Sequence, residues 1–254
     1  MTLEQAIYKT VAYFSLFDYP VTTFEIWKWL FGYGEKVSLL DLRRELASNQ
    51  FLSEQLDLHN GFWSLAGKDI LALVRTRHER FLDAVRKYKR LRRATWYLSR
   101  IPSVRGIAAC NTLAWNHTRA SSDIDIFVIV REGSVWTTRL LAVAPFKILK
   151  MRPGVAKRDP LCFTFFLSDT NLDLSVLRLE SSDPYLTFWS RSIVPVFDRD
   201  GVFTEFHQAN GWLDCELNNC YQRAMHRSRG CPALGRAYRS PGFVERVCEK
   251  IQRR

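Results

Sequence analysis

Apolar residues recur every three or four positions over residues 3–17, at Leu3, Ile7, Val11 and Phe14. This period predicts an amphipathic helix, ended at Asp18-Tyr19-Pro20 because proline disfavours helix at the residue before it. Thr22 or Thr23 can cap a second helix over 23–31, which carries Phe24, Trp27 and Leu30 and breaks at Gly32 and Gly34. Ser38 can cap a third over 39–48. Asn60-Gly61, between Leu56/Leu58 and Phe62/Trp63/Leu65, predicts a hairpin on a type I′ turn. Residues 69–97 read as one long helix with Ile70, Val74, Phe81, Val85, Tyr88 and Leu91 as its apolar stripe. Arg86, Lys87, Lys89, Arg90, Arg92 and Arg93 dominate its remainder.

Beyond that helix the pattern changes. Residues 104–130 predict strand, tight turn, short helix, loop and strand. A helix over 135–149, a polar connector and a short apolar run at 161–167, read as a buried strand, follow. An aromatic helix over 184–191 and an extended piece at 193–197 come next. Helices are then expected over 202–208, 212–226 and 243–253.

The second strand of the 104–130 segment opens with Asp123 and Asp125, separated by Ile124. Residues two apart on a strand share a face, so the two carboxylates point the same way, about 7 Å apart along the strand. Ile124, Ile126, Val128 and Val130 take the other face. Two acids backed by a buried strand are costly without positive charge between them. A hard divalent cation shared with substrate phosphates is the natural occupant. The turn residues Asn111 and Thr112 open the short helix.

Charge sharpens the picture. The net charge is +11 over 254 residues. Residues 75–105 hold eleven Lys/Arg against Glu79 and Asp83, and residues 221–254 hold nine against Glu245 and Glu249. An anionic partner follows: nucleotide phosphates, nucleic acid or an acidic protein. Set against this are a solvated helix face and a basic tail that serves solubility. No stretch is long and apolar enough to span a membrane, so no membrane partner is expected. The first residues lack the pattern of a secretory signal. Six cysteines, at 110, 162, 215, 220, 231 and 248, form no C-x-x-C pair, so a cytoplasmic protein is expected. Cys215, Cys220, His226 and Cys231 match no compact zinc spacing and read as structural thiols with an incidental histidine.

In Ile107-Ala108-Ala109-Cys110, Asn111-Thr112, ten residues, then Asp123-Ile124-Asp125-Ile126, preceded by Ser121-Ser122, the chain resembles the nucleotidyltransferase superfamily with the DNA polymerase β-like fold. YFSLFDYPVTTFEIWKWL and NGFWSL resemble the front half of uncharacterised bacterial proteins with that domain. The resemblance implies an α+β fold, with a mixed sheet backed by helices. It implies Mg²⁺ (or Mn²⁺) on Asp123 and Asp125 as catalytic and metal residues, and an NTP held at Asn111 and Thr112. Two positions depart from the family pattern. Asn111-Thr112 stands where Gly-Ser or Gly-Gly is usual; asparagine accepts left-handed backbone angles, and threonine keeps a hydroxyl. The later strand, 161–167, lacks the third carboxylate of active members: Thr164 lies mid-strand, Asp159 precedes it, and Asp169 and Asp173 follow.

The expected organisation is a winged-helix-like unit over 1–68, a basic linking helix over 69–100, a nucleotidyltransferase-like domain over 101–220 and a basic tail over 221–254. The winged helix reads as a docking module, because its third helix balances Arg43 and Arg44 against Asp41 and Glu45. The expected function is Mg-dependent transfer of a nucleoside monophosphate from an NTP to a hydroxyl acceptor, with nucleic acid or protein as acceptor classes. The alternative is a catalytically inactive nucleotide-sensing or nucleic-acid-binding module. His117 and Arg119, in the loop before the acids, are further candidates for phosphate contact.

Overall fold

The computed structural model describes residues 1–156, 158–179, 182–226 and 240–253. In chain order the elements are α1 (Leu3–Ser15), β1 (Val21–Thr22), α2 (Thr23–Lys28), α3 (Leu39–Ser48), α4 (Gln50–Gln55), β2 (Leu56–His59), β3 (Phe62–Leu65) and α5 (Ile70–Leu98). Then come β4 (Val104–Ala109), α6 (Asn111–Ala114), β5 (Ile124–Val130), α7 (Val135–Ile148), β6 (Leu161–Ser168) and α8 (Pro184–Ser192). The last are β7 (Val194–Asp198), α9 (Val202–Ala209), α10 (Leu213–Glu216) and α11 (Gly242–Gln252). The fold is α+β with one mixed sheet. Contacts divide the chain into two compact units: Met1–Phe81 with Arg178–Arg191 and Gly211–Gln222, and Leu82–Leu177 with Ser192–Asn210 and Arg223–Arg254.

In the first unit, capping starts the helices where the sequence pattern placed them. Thr22 accepts the Glu25 N–H at 3.2 Å while Glu25 reaches back to the Thr22 N–H at 2.9 Å, a reciprocal capping box. Ser38 caps α3 through the Asp41 N–H. Asn60 and Gly61 both adopt positive φ, 49° and 79°, so β2 and β3 close on a two-residue turn with His59 opposite Phe62. β1 joins the other edge of β3, giving an antiparallel sheet in the order β1-β3-β2. Two points differ from the pattern: α2 ends at Lys28, and a short extra helix, α4, precedes the hairpin. Later chain also belongs here. Phe188 of α8 packs against Tyr13, Phe14, Trp29 and Phe31. Over 217–226 the expected helix is absent. The Asn219 side chain instead donates to Trp27 O and accepts from Val37 N, side-chain bonds that compete with a helical ladder.

The second unit is built on a four-stranded sheet, order β6-β5-β4-β7, in which only β5 and β6 run parallel. Every residue of β4 is buried. One face packs Ile107, Ala109, Ile124, Ile126, Val128 and Val130 against Tyr88, Leu91 and Leu98 of α5 and Phe146 of α7. On the other, Phe127 meets Phe165 and Phe206 of α9. Gly106 permits that approach, since a Cβ there would lie 2.9 Å from Phe203 and Val202. The buried stripe of α5 in this unit runs through Ala84, Tyr88, Leu91 and Leu98, while Phe81 and Val85, expected inside, are 50% and 43% exposed. Lys87, expected on the basic outer face, is fully buried. Charge alone marked Lys87 as outward, but the carbonyls it meets inside come from a distant loop.

Part of the basic segment is paired within each unit. Arg77 pairs with Glu25 at 2.7 Å, Arg86 with Asp83 and Asp159, and Arg105 with Glu205 at 2.8 Å. Arg75, Lys89 and Arg93 remain exposed.

Candidate functional site

The site forms where β5 begins. Ile124 and Ile126 are sealed in the core, which turns Asp123 and Asp125 to the opposite face, where both are partly exposed. Asp125 lies on the strand and Asp123 immediately before it. Burial pushes the Asp123 carboxyl above its ordinary range, and the charge of Asp125 pushes it further; Lys87 and Arg152 offset part of this. The like charge of Asp125 disfavours ionisation of Asp123.

The turn lies beside them. The Cys110 N–H donates to Asp125 O at 3.3 Å, extending the β4–β5 ladder by one pair. Asn111 then adopts φ +54°, the left-handed conformation for which asparagine is suited. α6 has only four residues, about one turn, so backbone N–H groups and the exposed Thr112 hydroxyl are what it offers, not a long helix dipole. The His117 N–H closes the turn on Thr112 O at 2.9 Å. His117 itself is buried, while Arg119 is exposed.

Two residues of α5 that the sequence pattern did not single out hold the loop in front of the acids. Lys87 Nζ donates to Arg119 O and Ser122 O at 2.5 Å each, and to Ser122 Oγ at 2.8 Å. Asp83 accepts from Thr118 Oγ1 at 2.7 Å and lies 3.4 Å from Lys87 Nζ. Burial lowers the Lys87 pKa and Asp83 partly restores it. The spacing Asp83–Lys87, one helical turn, was the available signal, obscured by the cations around it.

Among the described residues no third acid completes the pair. Asp159 is buried but bonds Arg86 and lies 3.9 Å from Lys87 Nζ. Asp169, just past the far end of β6, accepts the Glu132 N–H and pairs with Arg105 at 3.3 Å. Asp173 closes its own turn on Ser175. Thr164 takes the place beside the pair. The β5–β6 register sets Ile126 opposite Phe163 and Phe127 opposite Phe165, so Thr164 is the extra residue of a bulge. Its hydroxyl donates to Asp125 Oδ1 at 2.8 Å. Cys110 and Cys162 flank Asp125 on the neighbouring strands, and burial pushes both thiols up.

No family model, characterised protein or solved structure matches this chain.

The chemistry of the site therefore rests on its own residues. Among the described residues no three His, Cys, Asp or Glu side chains are grouped to hold a metal. Asp123 and Asp125 fit a hard cation that takes one or two carboxylates and completes its shell with water and phosphate. Of the loose zinc set, Cys215 is exposed, Cys220 is buried, His226 stacks on Tyr88, and Cys231 lies outside the described residues. A cavity of about 660 Å³ lined by Phe165, Leu167, Leu172, Leu174 and Leu177 follows the far half of β6, away from the acids.

Proposed function

We propose that the second unit binds a nucleoside triphosphate with Mg²⁺ or Mn²⁺ and transfers its nucleoside monophosphate to a hydroxyl acceptor. Its sheet is read as polymerase β-like, and the first unit as winged-helix-like. The observation that carries the reading is the pair Asp123 and Asp125 on one face where β5 begins, next to the left-handed turn at Asn111. In this reading Asp123 and Asp125 hold the cation, while Asn111 and Thr112 hold phosphate oxygens. The bound cation would neutralise phosphate charge and align an in-line displacement. Lys87 fixes the loop that carries Asp123. A second reading, nucleotide binding without transfer, is favoured by Thr164, which puts a hydroxyl where a third carboxylate would stand.

Calorimetric titration with Mg²⁺ and a non-hydrolysable NTP, beside transfer from α-labelled NTP, separates the two. Binding in the wild type and its loss in D123A/D125A is the expected result; equal binding in both would overturn the assignment. Binding without label transfer, with transfer appearing in T164D, selects the second reading.

A further inference from the structure

We propose that the loop joining α7 to β6 docks the second unit on an anionic lipid surface. Residues 147–160 contain Lys147, Lys150, Arg152, Lys157 and Arg158 against one acid, Asp159, which is buried and paired with Arg86 and Arg158. Lys147, Ile148, Leu149 and Lys150 are four exposed residues in a row, with Ile148 at 78% and Leu149 at 64%. Val155 adds a third aliphatic side chain at 60%. Leu141, seven residues before Ile148 and so on the same face of α7, is also exposed.

The helix ends here for a local reason. Lys150 takes φ +53°, and its N–H and that of Met151 turn back to Lys147 O and Phe146 O. This closure leaves Ile148 and Leu149 at the tip, while Met151 stays partly buried. Arg152 belongs to the framework: it donates to Leu161 O at 2.8 Å and lies over the Phe163 ring. Lys147 and Lys150 are the cations presented beside the aliphatic tip.

Aliphatic side chains flanked by two lysines match the boundary between lipid headgroups and acyl chains. They do not match a single-stranded nucleic acid, which is held by aromatic stacking beside its phosphate contacts. The expectation of no membrane partner rested on the lack of a span, and no described helix is long and apolar enough for one; docking on a surface needs none and departs from that expectation. The loop runs into β6, whose Leu161 pairs with Ile124, so the docking face borders the edge of the sheet that carries Asp123 and Asp125. The inference rests on the loop alone and does not depend on the nucleotide reading.

The test is co-sedimentation of the full chain with phosphatidylcholine vesicles, with and without about 30 mol% phosphatidylglycerol. The wild type is expected to bind the anionic vesicles and not the neutral ones. Binding should fall at least roughly tenfold in I148S/L149S and in K147E/K150E, since apolar insertion and charge act together. All these side chains are exposed, so circular dichroism should show both variants folded. Failure of the wild type to bind anionic vesicles would overturn the proposal. So would undiminished binding by I148S/L149S, binding of an RNA oligonucleotide in place of vesicles, or a dimer that I148S/L149S converts to monomer.

Discussion

At the scale of single residues, Asp123 has the clearest consequence. Its carboxyl is raised from 3.8, by burial first and by Asp125 next. A raised acid favours the folded state while it is protonated. Its unfavourable ionisation is therefore absent below 3.8 and grows as pH rises through the higher folded value. D123N is expected to melt above the wild type at neutral pH in chelator, with the gap closing as pH falls toward 3.8. Mg²⁺ should raise the wild-type Tm and leave D123N/D125N unmoved; differential scanning fluorimetry reads both. The left-handed turn at Asn111 was legible from residue type. Thr164 was visible only as a missing acid; the bulge that turns its hydroxyl to Asp125 was not, because a bulge is a property of two strands.

At the scale of elements, α5 shows why a periodic pattern can name a helix and misplace its face. Its extent was readable to within a residue or two of Ile70–Leu98. Its buried side was readable only in part: Val74, Tyr88 and Leu91 are buried as expected, whereas Phe81 and Val85 are exposed and Lys87 is drawn inward by two carbonyls and a hydroxyl from the loop before Asp123. Removing that ammonium leaves those carbonyls without their donor inside the fold, while Asp83 keeps Arg86 and Thr118. K87A is expected to cost roughly 3–5 kcal/mol, the usual penalty for breaking a buried charged network. Urea denaturation of K87A against the exposed control K89A checks it; a loss below about 1 kcal/mol, the scale of a surface pair, would refute the pinning role.

At the scale of the whole molecule, contacts between distant segments complete elements that are unfinished locally. Ser134 makes no side-chain cap to α7; Glu245 of α11 instead accepts from Trp136 N at 2.6 Å and Thr137 N at 2.9 Å. E245A is expected to destabilise the second unit by about 1–2 kcal/mol, as loss of a helix cap does. Hydrogen exchange should rise at Trp136 and Thr137 first, and unchanged protection there would contradict the capping role. The same logic governs charge: the basic run over 75–105 suggested an external anion, and Glu25, Asp83, Asp159 and Glu205 meet four of its eleven cations, Arg77, Arg86, Lys87 and Arg105, inside each unit. By itself, the sequence determined what depends on neighbours along the chain. These are the helix caps at Thr22 and Ser38, the Asn60-Gly61 turn, the strands β4 and β5, and the shared face of Asp123 and Asp125. Periodicity and backbone preference act over a few residues, so they can be read from a few residues. Only the tertiary structure decided that 178–191 and 211–222 pack into the first unit, that β7 pairs with β4, that Asp159 is held by α5, and that Lys87 pins the acid loop. Those outcomes depend on which distant partner satisfies a buried charge or hydrogen-bonding group, and no local pattern encodes that partner.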